Sequence, residues 1–166
     1  MATPTTLPAS FVAGNVLEAS QLNNMRGAFR VLQVVSTTLT TAFVSGSSGA
    51  YANVTGLSAT ITPSATSSKI LIMATVNGGT FMAIKVTGGN TASYVPNSYA
   101  SADSAQNNGY VANANLLYLD SPATTSAITY QIQSKDLVGG TSYINRSQDS
   151  ASAVASSTIT VMEISA

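Results

Sequence analysis

Ser68-Lys69-Ile70-Leu71-Ile72-Met73-Ala74-Thr75-Val76-Asn77 is the most strongly apolar run of the chain, and the reading of its two faces decides the fold. Ile70, Ile72, Ala74 and Val76 are all apolar, whereas Lys69, Leu71, Met73, Thr75 and Asn77 between them are mixed. A period of two with one uniformly apolar face predicts a central β-strand. A sandwich strand turns its second face to water, so Leu71 and Met73 need a cover. Either the chain's own N-terminal segment or a second subunit can supply it.

Strand signals continue on both sides of this run. On the N-terminal side, Arg30 to Ser36 and Thr41 to Val44 read as strands, followed by a turn at Gly46-Ser47-Ser48-Gly49. Leu57 to Ile61 alternates cleanly and stops at Pro63. On the C-terminal side, Gly78-Gly79 makes a turn, and Met82, Ile84 and Val86 share one face of the next strand. Tyr110 to Leu119, Ala127 to Gln133, Thr141 to Ile144 and Ser157 to Ile164 follow, separated by Asp120-Ser121-Pro122 and Gly139-Gly140. In the last of these Glu163 falls on the face of Ile159 and Val161, which predicts a bulge or an exposed strand end. Eight to ten short strands at regular spacing, with no βαβ spacing, predict an all-β antiparallel sandwich over 30–166.

Two segments break the pattern. Thr87 to Gly109 has no strong periodicity and reads as a long loop, a kind of segment that is usually functional or disordered. Tyr94, Asn97 and Tyr99, with Tyr110 just beyond, bring amphipathic rings and amides there. Such a set suits carbohydrate or protein contact, and equally suits packing against a neighbouring subunit. Residues 1–29 form an N-terminal unit. Pro4 and Pro8 predict an extended arm with Phe11 as its anchor, and Leu22, Met25 and Phe29 recur at helical spacing after an Asn15/Glu18 capping box. That short helix is too short to stand alone. Phe11, Leu17, Leu22 and Met25 are therefore expected to dock on a neighbour, or to close over Leu71 and Met73 in the same chain.

Composition removes most chemistry. The 166 residues include no cysteine and no histidine, so disulfides, thiolate nucleophiles, Cys-based metal sites and the commonest general base are excluded. Only 7% of residues are charged and the formal net charge is zero, against about 25% charged residues in ordinary domains. Nothing steers the chain toward nucleic acid or an anionic membrane. A neutral, charge-poor surface does little to oppose association, which points to subunit interfaces in a larger assembly. Met1 to Ser10 lacks a basic n-region and an apolar h-region, so no secretory signal is expected. No run reaches the length of a membrane span, so no membrane insertion is expected.

The remaining candidates for catalysis are thin. A Ser–Lys pair has only Lys69, Lys85 and Lys135 to draw on. The acids Glu18, Asp103, Asp120, Asp136, Asp149 and Glu163 are scattered over loops and strand ends, and Asp120 before Ser-Pro reads as a turn former. No dense acidic run offers a calcium site, and the Gly-Gly pairs open no helix that could cradle a phosphate. No catalytic residue, metal or cofactor is expected.

Four strings then occur in order: Ser67-Ser68-Lys69-Ile70-Leu71-Ile72, Leu119-Asp120-Ser121-Pro122-Ala123-Thr124-Thr125, Tyr143-Ile144-Asn145-Arg146-Ser147 and Ser157-Thr158-Ile159-Thr160-Val161-Met162-Glu163. The series resembles tail-fibre-like and other virion surface proteins of tailed bacteriophages, especially those of cyanobacteria and marine bacteria. Phe11 to Asn23 looks like the attachment segment opening many such fibres, with Glu18 where Thr is usual. The resemblance implies a jelly-roll-like sandwich and a homotrimer without catalytic activity at the virion surface, made in the host cytoplasm. The implied role is a tail fibre or tail-tip adhesin contacting a host surface glycan or protein, with the arm docked on other virion proteins. A trimeric capsid decoration (cement) protein is the alternative, and a polysaccharide-cleaving tailspike-type enzyme an outside third.

Overall fold

The computed structural model describes residues 30–45, 49–79, 82–90, 97–100, 111–137, 140–150 and 155–165, with 45 and 97–100 as backbone only. Ten strands run through them: β1 Val31–Leu39, β2 Phe43–Ser45, β3 Ala52–Ile61, β4 Lys69–Gly78, β5 Met82–Thr87, β6 Asn97–Ala100, β7 Ala112–Asp120, β8 Ile128–Asp136, β9 Ser142–Ile144 and β10 Ser157–Ile164. The larger sheet places β1, β10, β4 and β7 side by side, and the short pair β9–β2 continues from the end of β4. The smaller sheet has the order β3-β8-β5-β6.

The pairing is nested. β1 pairs β10, β3 pairs β8, β4 pairs β7 and β5 pairs β6, all antiparallel. The chain therefore behaves as one long hairpin rolled up, these four pairs falling in alternate sheets and the short β2–β9 pair joining the larger one. That winding is an antiparallel jelly-roll sandwich. β4 lies between β10 and β7 as the central strand, and its apolar face enters the core as its alternation predicts. Ile70, Ile72, Val76, Ile159 and Val161 from the larger sheet meet Val54, Leu57, Ile61, Ile84, Val86, Tyr130 and Ile132 from the smaller one. All twelve are 1% exposed or less.

The structure differs from the sequence expectations in three places. First, β3 begins at Ala52, five residues before the clean alternation at Leu57, because a wide irregularity lies between Asn53 and Ser58. There Val54 and Leu57 both turn into the core, and Gly56 takes the left-handed φ of +84° that the detour requires. Gln131 Nε2 reaches into the gap and donates to the carbonyls of Val54 at 3.0 Å and Leu57 at 3.2 Å.

Second, the stretch expected to be one long loop contains strand β6, in which Asn97 pairs with Lys85 and Tyr99 with Ala83. Four residues are too short a run for alternation to stand out in the sequence. Third, Glu163 is neither in a bulge of its own strand nor at an exposed end: it is fully buried. The irregularity sits opposite, in β1, where Leu32 is the extra residue between Val31 and Gln33. The arm and short helix of 1–29, with Phe11, Leu17, Leu22 and Met25, lie outside the described residues.

Candidate functional site: the outer faces of the sandwich

β-Register places outward residues of the larger sheet in rows across four strands. Val34, Met162, Leu71 and Leu119 form one continuous apolar row. At a strand spacing of about 4.8 Å it spans roughly 15 Å. Val34 is 53% exposed and Leu119 52%, while Leu71 and Met162 are half-buried. The next row is Ser36, Thr160, Met73 and Leu117, half hydroxyl and half apolar, with Leu117 68% exposed. The third is Thr38, Thr158, Thr75 and Asn115, wholly polar, followed by Asn77 opposite Asn113. The face thus grades from apolar at one end to hydroxyl and amide at the other. At the apolar end the β1 bulge leaves Val31 and Leu32 exposed as well.

The polar rows are stitched together. Ser36 and Thr160 hydroxyls lie 2.9 Å apart, Thr38 and Thr158 hydroxyls 3.3 Å, and Thr75 Oγ1 donates to Asn115 Oδ1 at 2.9 Å. A shallow hollow of about 350 Å³ lies where the mixed and polar rows meet, lined by Met73, Thr75, Asn115, Leu117, Thr158 and Thr160.

Buried polar groups fasten the ends of the sheets that present this face. Glu163 Oε1 accepts from Ser64 N and Ser64 Oγ, both at 2.6 Å, and from Ser68 Oγ at 2.7 Å; Oε2 accepts from Gln33 Nε2 at 2.6 Å. Burial by itself pushes this carboxyl up, but the bonds from Ser64, Ser68 and Gln33 outweigh it and hold the group below its ordinary value. One side chain so ties β10, β1 and the 62–68 connection. Asp120 is buried too and accepts from Tyr130 Oη at 2.6 Å and Ser121 N at 2.8 Å. Burial, then the bond to Asp120, pushes the Tyr130 phenol far above its ordinary value. Gly89, at φ +55°, passes so close that a Cβ there would strike Asp120 Oδ2.

Asn145, in the left-handed region at φ +59°, is a third such node. Its Nδ2 donates to the carbonyls of Leu39 at 2.7 Å and Thr41 at 3.0 Å, and its Oδ1 accepts from Ser157 Oγ at 2.6 Å.

The smaller sheet's outer face has a different chemistry. Thr60 and Thr129 hydroxyls lie 2.7 Å apart, and Gln133 Nε2 donates to Asn53 Oδ1 at 2.7 Å. Lys85 Nζ and Lys135 Nζ both lie over the ring of Tyr51, at 4.4 Å and 4.8 Å from its centre. The large apolar residues exposed among the described residues, Val31, Leu32, Val34, Val44, Leu117 and Leu119, all belong to the larger sheet.

Of the residues singled out from sequence, Leu71 and Met73 stand in adjacent rows of the larger sheet's outer face. Sequence reasoning missed Val34, Met162, Leu117 and Leu119, which register brings beside them; their alternation was the available signal, but not the order of the strands. Asn97 and Tyr99 belong to β6, at the edge of the opposite sheet, whereas Tyr94 and Tyr110 lie outside the described residues. Lys69 Nζ donates to Ser121 Oγ at 2.8 Å, with neither group buried. A nucleophilic Ser–Lys pair needs a desolvated lysine. Among the described residues no three acidic side chains converge as a metal site would require. Asp120 is more than the turn former its Ser-Pro context suggests, since it anchors Tyr130 in the core.

No protein-family model matches the sequence, and no curated protein matches it. Among solved structures it is similar to that of infectious bursal disease virus, Gx strain, at 13% identity and a TM-score of 0.34, and to the infectious bursal disease virus VP2 subviral particle, at 16% identity and 0.35. Each match covers 81% of this chain but 40% and 38% of the viral chains. The chain therefore spans about two fifths of their length.

Proposed function

We propose that this chain is a non-enzymatic structural protein of a virion, a homotrimeric tail fibre or tail-tip adhesin whose subunits meet through the outer face of the larger sheet. The observation that carries the reading is the apolar row Val34–Met162–Leu71–Leu119, extended by Leu117 and Met73, on a molecule with almost no charge to keep copies apart. The jelly roll adds support by analogy of fold alone, since viral capsid and lectin domains use it. The likeness of the sequence strings to tailed-phage surface proteins points the same way. In this reading 1–29 docks on other virion proteins, and the region of Tyr94, Asn97, Tyr99 and Tyr110 faces the host. Three copies per fibre raise a weak contact by avidity of roughly 10²–10⁴.

The test has two parts. Sedimentation at micromolar concentration should show a trimer that Leu119→Lys dissociates; a stable wild-type monomer ends the assembly claim. Labelling of virions against this protein should mark the tail. Marking of the head would replace the fibre by a capsid decoration protein, which uses the same apolar contact to bind shell subunits.

A further inference from the structure

Among the described residues the larger sheet's outer side carries Lys69 at one end and Arg146 over the ring of Tyr143 in β9, at 5.0 Å from its centre, whereas Lys85 and Lys135 converge on the smaller sheet. Tyr51 immediately precedes β3, and register sets the start of that strand beside the end of β8. Lys85 on β5 stands opposite Gln133, and Lys135 opposite Ala83, so the two lysines lie one row apart on adjacent strands. Both ammonium groups rest over one ring. They can be no further apart than the sum of their two distances to its centre, and two like charges held that close repel each other. The ring's negative face relieves part of this. An anion bound by both lysines at once would relieve more.

We propose that Tyr51, Lys85 and Lys135 form a binding site for a carboxylate-bearing saccharide. Its carboxylate is held by both ammonium groups, and its hydroxyls by the neighbouring amides of Gln133 and Asn53. The surroundings choose this class of anion. The row of Lys85 continues with the amides of Gln133 and Asn53, and the one after it carries the hydroxyls of Ser58 and Thr87, side chains that match a ligand made of hydroxyls. No large apolar side chain is exposed on this sheet among the described residues, so its described part offers a protein partner no aliphatic anchor. Two lysines on a chain of zero net charge are too few to hold the regularly spaced phosphates of a nucleic acid. By backbone register alone, Asn97 stands across from Lys85 and Tyr99 across from Ala83, which puts both beside the same site. The site lies on the sheet opposite the apolar rows, so it stands or falls separately from the assembly claim.

The experiment is binding of the full chain to an immobilised panel of uronate, sialate and pyruvylated saccharides, with their methyl esters and a single-stranded DNA of equal charge as controls. At least one free acid should bind tenfold or more tightly than its ester, and the affinity should fall as salt rises. Lys85→Gln with Lys135→Gln should weaken that binding tenfold or more, leaving the thermal midpoint and sedimentation unchanged. Lys85→Arg with Lys135→Arg, which keeps the charge, should retain most of it. Absence of binding to every acid at millimolar concentration overturns the proposal, as does equal binding of acid and ester. DNA binding as tight as that of the best acid also overturns it, by showing a general polyanion contact.

Discussion

The two outer faces of this sandwich are made from nearly the same alphabet, yet they leave different surfaces. Both carry Thr–Thr contacts between strands: Thr38–Thr158 on the larger sheet and Thr60–Thr129 on the smaller. On the larger sheet Val34, Met162, Leu71, Leu119, Met73 and Leu117 share the face with Ser36, Thr160, Thr75 and Asn115. On the smaller sheet the neighbours are Asn53, Gln133, Lys85 and Lys135. In a chain with so few charges, the contrast between faces is thus set by where the leucines and methionines fall. The polar face is a surface of amides, hydroxyls and two lysines, whereas the apolar one leaves Val34, Leu117 and Leu119 exposed.

Substitutions break or sharpen this contrast, and the largest effect should come from beneath both faces. Ile72→Ala removes a fully buried side chain of the central strand and should cost about 2–5 kcal/mol by denaturant unfolding. A change near zero would mean that neither face rests on this core.

Next comes the node at the apolar end. Glu163→Ala leaves the donors of Ser64, Ser68 and Gln33 without their acceptor and should cost about 1–3 kcal/mol. The carboxyl's folded pKa is lowered, so its contribution is fully present above the unfolded value of about 4.3 and is lost as pH falls through the folded one. Thermal midpoints of wild type and Glu163→Gln should therefore differ at pH 7 and converge in acid. A gap that persists at pH 2 would locate the effect in packing rather than charge.

Smaller still, Leu119→Ser on the apolar row should change the stability of the isolated subunit by no more than about 0.5 kcal/mol, yet lower the sedimentation coefficient. The matching change on the polar face, Thr129→Ala, should be as small in stability and leave sedimentation untouched. If both variants sediment alike, the two faces do not differ in the way proposed.

Sequence alone went far with the central strand, because alternation over Ile70, Ile72, Ala74 and Val76 is a local property. It could not show that Val34, Leu71, Met162 and Leu119 form one row, since those residues are far apart in the chain and only strand order joins them. Glu163 illustrates the same limit. Its phase was plain, but a carboxylate on a core face looks like a defect until Ser64 and Ser68, about a hundred positions earlier, are seen closing around it. The start of β3 was hidden because three additional residues between Asn53 and Ser58 break the period of two. Tyr51, Lys85 and Lys135 carried no shared signal at all, as their meeting depends on β5 and β3 both flanking β8.

The rolled-up winding also has a temporal side. β10 lies between β1 and β4, so a ribosome makes the first and the middle strands of the larger sheet well before the one that joins them. Until Ile159 and Val161 emerge, both wait with an unmet edge, and closure of the sheet is a late event of high contact order. Truncation just before Ser157 would accordingly do more than shorten a tail: it would part the sheet along its middle and strand β1 alone.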